Sequence, residues 1–77
     1  HLGSHDDDAQ ARLALGRILL RFGRTEHAVR HLQAVHEAAL EPKEREAAGR
    51  MLVVAFDQLG MAEAASRMLD ALRAADP

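Results

Sequence analysis

The 77-residue chain has no cysteine, no tryptophan and no tyrosine, and it holds only two phenylalanines and two prolines. Without cysteine there is no disulfide framework and no thiolate metal centre, which fits a reducing, cytoplasmic setting. Without Trp or Tyr, and with both Phe expected in the core, nucleic-acid bases have no aromatic platform on which to stack. The longest apolar run, Met51 to Phe56, falls far short of the roughly 20 residues that span a bilayer, so no membrane partner is expected. The opening HLGSHDDD has neither the basic nor the apolar region of a signal peptide. Residues 1–8 read as a disordered or tag-derived lead, with Gly3-Ser4-His5 resembling an expression-tag remnant.

Charge narrows the field further. Ten basic and 12 acidic residues give a net charge of −2. Setting aside residues 1–8, which hold three of the acids and none of the bases, leaves 10 basic against 9 acidic residues. A body this close to neutral is poorly suited to nonspecific nucleic-acid or membrane binding. A chain of this length makes one domain with a thin core, seldom giving more than about 3–5 kcal/mol.

What the sequence does have is helical period. Ala, Leu, Arg and Glu fill the long segments, and no β-type alternation runs beyond a few residues. The first helix is expected from about Ala9 to Phe22-Gly23, where glycine can take the left-handed C′ conformation. Thr25 is expected to cap a second helix ending near Leu40, before Glu41-Pro42. Lys43 or Glu44 opens a third, which stops at Leu59-Gly60, and a fourth runs from about Ala62 to Ala75. Glu63 and Arg67 are spaced for an i,i+4 ion pair. The expected fold is all-α: four helices in two antiparallel hairpins, the first over about residues 9–42 and the second over about 43–77.

The hairpins repeat. At an offset of 37 residues Gly23 falls on Gly60, Leu15 on Leu52, Leu19 on Phe56, Phe22 on Leu59, Glu26 on Glu63, Ala28 on Ala65 and Leu32 on Leu69. The stretches FGRTE and LGMAE are thus equivalent turns. The apolar stripes Leu15, Ile18, Leu19 and Phe22, and Leu52, Ala55, Phe56 and Leu59, are assigned to the core.

These residues resemble the tetratricopeptide (TPR) repeat family, whose signature is W-x2-L-G-x2-Y, then A-x3-F, then P, with a period of about 34. The first unit offers Arg12-x2-Leu15-Gly16-x2-Leu19 and Ala28-x3-Leu32; the second offers Gly49-x2-Leu52-Val53-x2-Phe56 and Ala65-x3-Leu69, with Pro77 at the proline position. Both tryptophan positions are lost, Val53 replaces a glycine, and the stretch around Glu41–Lys43 is about three residues longer than the family period. The resemblance implies a short TPR-like array acting as a protein–protein interaction module. In such arrays the first helix of each pair lines a concave surface. Here that surface is expected to comprise Leu13, Arg17, Leu20 and Arg21 on the first helix, with Arg50, Val54, Asp57 and Gln58 on the third. Arginine forks and aliphatic side chains on one surface favour an acidic or amphipathic peptide. Leu13 and Met51 stand where chaperone-tail clamps of the family need polar groups, which disfavours that partner.

Two repeats leave an end unstacked. The expected open edge lies on the fourth helix at Ala64, Met68, Ala71, Leu72 and Ala75, so the alternative function is self-association as a homodimer within a larger host protein. A regulatory segment of a transcription activator or of a co-chaperone is a further alternative. Catalysis has no residues behind it: Ser66 has no histidine near it, and Asp57 is expected to pair with Arg50. His27 and His31, at i,i+4, lack a third ligand, and His36-Glu37 is not followed by the second histidine of a zincin motif. No cofactor and no metal site is expected.

Overall fold

Four α-helices account for most of residues 5–38 and 41–75, the part of the chain described by the computed structural model. They are α1 (His5–Arg21), α2 (Thr25–Ala38), α3 (Pro42–Gln58) and α4 (Ala62–Ala75). No strand occurs among the described residues. Helices adjacent in sequence pack on each other, α1 also touches α3, and among the described residues α4 touches only α3. The fold is therefore all-α, with two hairpins laid side by side.

Helix starts differ from expectation in three places. α1 begins at His5, four residues ahead of Ala9, and so overlaps the expected lead. In α2 the amide of Ala28 donates to the carbonyl of Arg24 at 3.1 Å, so Arg24 holds the N-cap position and Thr25 is already helical. The Thr25 hydroxyl donates instead to Gln58 Oε1 at 2.8 Å, linking the start of α2 to the end of α3. In α3 the cap is Glu41, with extended backbone, and Pro42 takes the first helical position, where its missing N–H costs nothing. The expected end of the second helix near Leu40 lies outside the described residues.

The two turns are the same object. Gly23 (φ 78°) and Gly60 (φ 76°) are both left-handed. Arg24 N donates to Leu19 O and Met61 N to Phe56 O, each at 2.8 Å; Gly23 N donates to Leu20 O at 3.2 Å and Gly60 N to Asp57 O at 3.0 Å. These six-to-one and five-to-two bonds make a Schellman motif at each turn. Every donor and acceptor is displaced by the same 37 residues, so the sequence repeat is also a repeat in backbone hydrogen bonding.

The core gathers Ala9 and Leu13 from α1, Ala28, Leu32 and Val35 from α2, and Ala48, Leu52 and Phe56 from α3. Here α1 departs most from expectation. Leu13 is only 7% exposed, whereas Leu15 (40%), Ile18 (49%) and Phe22 (78%) face outward. The helix has turned its other stripe inward: Ala9, Leu13 and Gly16 are buried and Leu20 is half-buried. Leu59, likewise assigned to the core, is exposed, while Leu52, Ala55 and Phe56 are buried as expected.

Gly16 explains the rotation. A methyl group at that position would lie 2.8 Å from Leu32 Cδ2 and 2.9 Å from Leu32 Cγ, so α1 and α2 meet where α1 has no side chain. The second hairpin meets differently. Val53 stands where Gly16 is repeated, and the close approach has moved to Gly49, whose added methyl would lie 2.9 Å from Leu72 Cδ2. In an antiparallel pair, one turn back on α3 matches one turn forward on α4, and Leu72 lies three residues beyond Leu69, the repeat of Leu32. The contact has slid one turn away from the hairpin tip.

The two glycines should respond oppositely to alanine. At Gly16 the clash involves a wholly buried side chain; an overpacking cost of about 1–3 kcal/mol outweighs the ~1 kcal/mol that alanine gains in helix propensity. At Gly49 the clash is with one terminal methyl of the half-buried Leu72, which can swing aside and leave the propensity gain in place. Urea unfolding should therefore show a lower midpoint for Gly16→Ala and an equal or higher one for Gly49→Ala.

Candidate functional site

The first helices of the two hairpins, α1 and α3, run beside each other and leave a cleft of about 210 Å³ between them. From α1 it is lined by Gln10, Leu13, Ala14 and Arg17; from α3, by Lys43, Glu44 and Ala47. Leu13 is part of the core, so the cleft has an apolar floor, while Arg17 and Lys43 are exposed at its rim.

Glu44 is the unusual member. It is a buried carboxylate, and acids are rarely buried without a partner. Two features hold it there. It sits in the first turn of α3, three residues after the cap, where the helix dipole favours an anion. Gln10 Nε2 donates to Glu44 Oε2 at 3.4 Å, a long bond that ties α1 to α3 across the cleft. No buried side-chain nitrogen or oxygen among the described residues is left without a partner.

Of the eight residues expected to form one groove, only Leu13 and Arg17 line this cleft. Leu20 is half-buried against the core, and Arg21 is exposed on α1. On α3, Arg50 pairs with Glu46 at 3.6 Å rather than with Asp57, an exposed i,i+4 contact worth well under 1 kcal/mol. Arg50 and Glu46 line a different groove, of about 220 Å³, with Leu69, Leu72 and Arg73 of α4. Val54 and Asp57 are exposed on α3. Gln58 accepts the Thr25 bond and lines a third, open recess of about 540 Å³ at the hairpin tips, with Phe22 and Leu59. The expected groove is therefore spread over three surfaces. Arg50, Val54, Asp57 and Gln58 are the 37-residue repeats of Leu13, Arg17, Leu20 and Arg21, but the cleft sets Leu13 and Arg17 against Lys43, Glu44 and Ala47, about two turns earlier on α3.

Of the expected edge on α4, Ala71 is exposed and Leu72 half-buried. Ala64 and Met68 pack against the core. The side chains of Leu72 and Met68 both approach Gly49 of α3. Ala71 lines a small cleft with His36, Pro42 and Arg45, and the side chain of Ala75 lies outside the described residues. The outward face of α4 is polar, carrying Glu63, Ser66, Arg67, Asp70 and Arg73 in exposed positions. Glu63 and Arg67 form no ion pair; Arg50–Glu46 is the one salt bridge among the described residues.

Sequence reasoning missed Lys43 and Glu44 as site residues, and a signal was available. Glu44 follows Glu41-Pro42 at the third helical position, a recognised place for an acid that faces back over the helix start. His27 is exposed and His31 half-buried; among the described residues no cluster of three or more potential ligands could hold a metal ion. No described helix is long and apolar enough to cross a membrane. No family model matches the chain, and no curated protein or solved structure matches it significantly.

Proposed function

We propose that the domain is a TPR-like interaction module whose α1–α3 cleft receives an acidic or amphipathic segment of another protein. The observation that carries this reading is the pairing of apolar lining (Leu13, Ala14 and Ala47) with two exposed cations, Arg17 and Lys43, contributed by the first helix of each hairpin and outnumbering the single buried carboxylate of Glu44. An aliphatic side chain of the partner would rest on Leu13, Ala14 and Ala47, while its carboxylates meet the Arg17 fork and the Lys43 ammonium. A cleft this small takes one or two side chains, so the affinity is expected to be modest and to fall with salt.

The test is fluorescence polarisation with labelled peptides alternating aliphatic and acidic residues. Arg17→Glu combined with Lys43→Glu should weaken binding by at least about tenfold, the size expected for losing two charge-assisted contacts. Helicity and mass should stay unchanged. Arg50→Glu, on the α3–α4 side, should leave affinity within about twofold, since it removes no cleft contact. Equal losses in both variants, or no measurable binding by the wild type, would remove the cleft from consideration.

A further inference from the structure

We infer that the groove between α3 and α4 is an unfilled helix seat, whose occupant is an acidic amphipathic helix of another protein, lying alongside α3 as α3 lies alongside α1. None of its lining residues belongs to the peptide cleft, so it is a second surface, independent of the function proposed above.

The first hairpin shows what the groove is shaped to hold. Both ends of α3 and of α4 are displaced by 37 residues from those of α1 and α2. At that offset the lining residues Glu46, Arg50, Leu69 and Leu72 fall on Ala9, Leu13, Leu32 and Val35. Those four are buried, in one core cluster with Ala48, Leu52 and Phe56 of α3. A third helix therefore closes this place in the first hairpin, whereas in the second it is an open groove of about 220 Å³. Exposure follows: Leu32 has none and Val35 has 2%, but Leu69 is 40% exposed and Leu72 half-buried. Stacked repeats bury such faces only on a neighbouring helix. Ala48, Leu52 and Phe56 stand at i, i+4 and i+8, so the occupant presents apolar side chains at that spacing.

Charge selects the occupant's chemistry. Where the first hairpin has Leu13 and His36, the second has Arg50 and Arg73, both exposed on the groove. Past Leu72 the groove continues into a cleft of about 290 Å³ that adds Ala71, Arg45 and His36. Glu46 is the only acid lining either part, and it is engaged with Arg50 at 3.6 Å. Arg45, Arg50 and Arg73 against one acid leave a positive rim around Leu69, Ala71 and Leu72. Its complement is a helix whose apolar stripe is flanked by carboxylates. A second copy of the chain fits badly. α1 has Ala11, Leu15 and Leu19 at the positions equivalent to Ala48, Leu52 and Phe56, but its charges over that stretch are Arg12, Arg17 and Arg21, which would meet arginines.

The probe is a labelled, lactam-bridged helical peptide of 17 residues, the length of α3, with alanine or leucine at i, i+4 and i+8 and glutamates flanking them. Bridging removes the folding cost that leaves so short a helix marginal in water. Titrated with the full chain, it should bind saturably, with a dissociation constant on the order of 10–100 µM. Arg73→Glu should weaken binding at least about tenfold, and so should lysines in place of the peptide's glutamates. Leu69→Glu, at a partly exposed position, should do the same with an unchanged circular dichroism spectrum. Arg73 is exposed, so its variant reads the groove even if Leu69→Glu disturbs the fold. Arg17→Glu combined with Lys43→Glu should leave affinity within about twofold, which separates this surface from the peptide cleft. No saturable binding, equal affinity for the glutamate and lysine peptides, indifference to Arg73→Glu, or an equal loss in the Arg17 and Lys43 variant would each overturn the inference. Self-association of the chain that Leu69→Glu abolishes would overturn it too, because a second copy would then hold the seat.

Discussion

Leu32→Ala is expected to leave most of the chain unfolded at 25 °C, and Leu69→Ala, its repeat equivalent, to leave it folded. Leu32 has no exposed surface, and it and Leu52 are the two largest side chains wholly enclosed by the fold. Buried Leu→Ala changes cost about 2–5 kcal/mol, more where the surroundings cannot collapse into the space. Collapse is restricted here because the wall opposite Leu32 is the backbone at Gly16, which has no side chain to swing into the gap. A domain of this size holds only about 3–5 kcal/mol in total, so the loss is comparable to the whole. Leu69 is 40% exposed; it forfeits only part of a methyl-burial energy, about 1 kcal/mol or less. Thermal melts followed at 222 nm should show no cooperative transition for Leu32→Ala and a midpoint within several degrees of wild type for Leu69→Ala. Similar melting of the two variants would mean the hairpins are packed alike despite Val53.

The difference between these two leucines marks where the sequence is readable. The turns are legible because their cause is local: a glycine at Gly23 or Gly60, after an apolar helix end, takes a left-handed conformation that L side chains resist. Four helices and two hairpins follow from those turns and from Pro42. The inward face of α1 is not legible from hydrophobicity, because the helix carries two stripes with the same spacing. Ala9, Leu13, Gly16 and Leu20 form one; Ala11, Leu15, Ile18 and Phe22 form the other. The second has the greater apolar bulk, so a rule that buries the larger side chains selects it. Burial went to the first because a glycine in mid-stripe lets the helix axes approach closely, and close approach lets Leu32 fill the space. The site is less legible for a different reason: Arg17 flanks the inward stripe, but its neighbours on α3 depend on how far the two helices are offset along their axes, which the 37-residue repeat does not give. Thr25 illustrates a further kind of limit. Its type and position favour a cap, yet a partner 33 residues away, Gln58, claims its hydroxyl.

The two stripes of α1 can be told apart by one charge on each. Leu13→Glu should unfold the domain, and Leu15→Glu should not. At Leu13 the new carboxylate would replace a core side chain only 7% exposed and would share the cleft with the buried Glu44. Desolvation and like-charge repulsion then act together, and the expected loss is about 3 kcal/mol or more, most of the stability available. At Leu15 the carboxylate points into water from a helix that tolerates glutamate well, so the monomer should lose less than about 0.5 kcal/mol. Chemical denaturation of the two variants side by side checks this result. If Leu15→Glu were the variant that unfolds, α1 would be buried by its bulkier stripe, and the cleft would have to be reassigned.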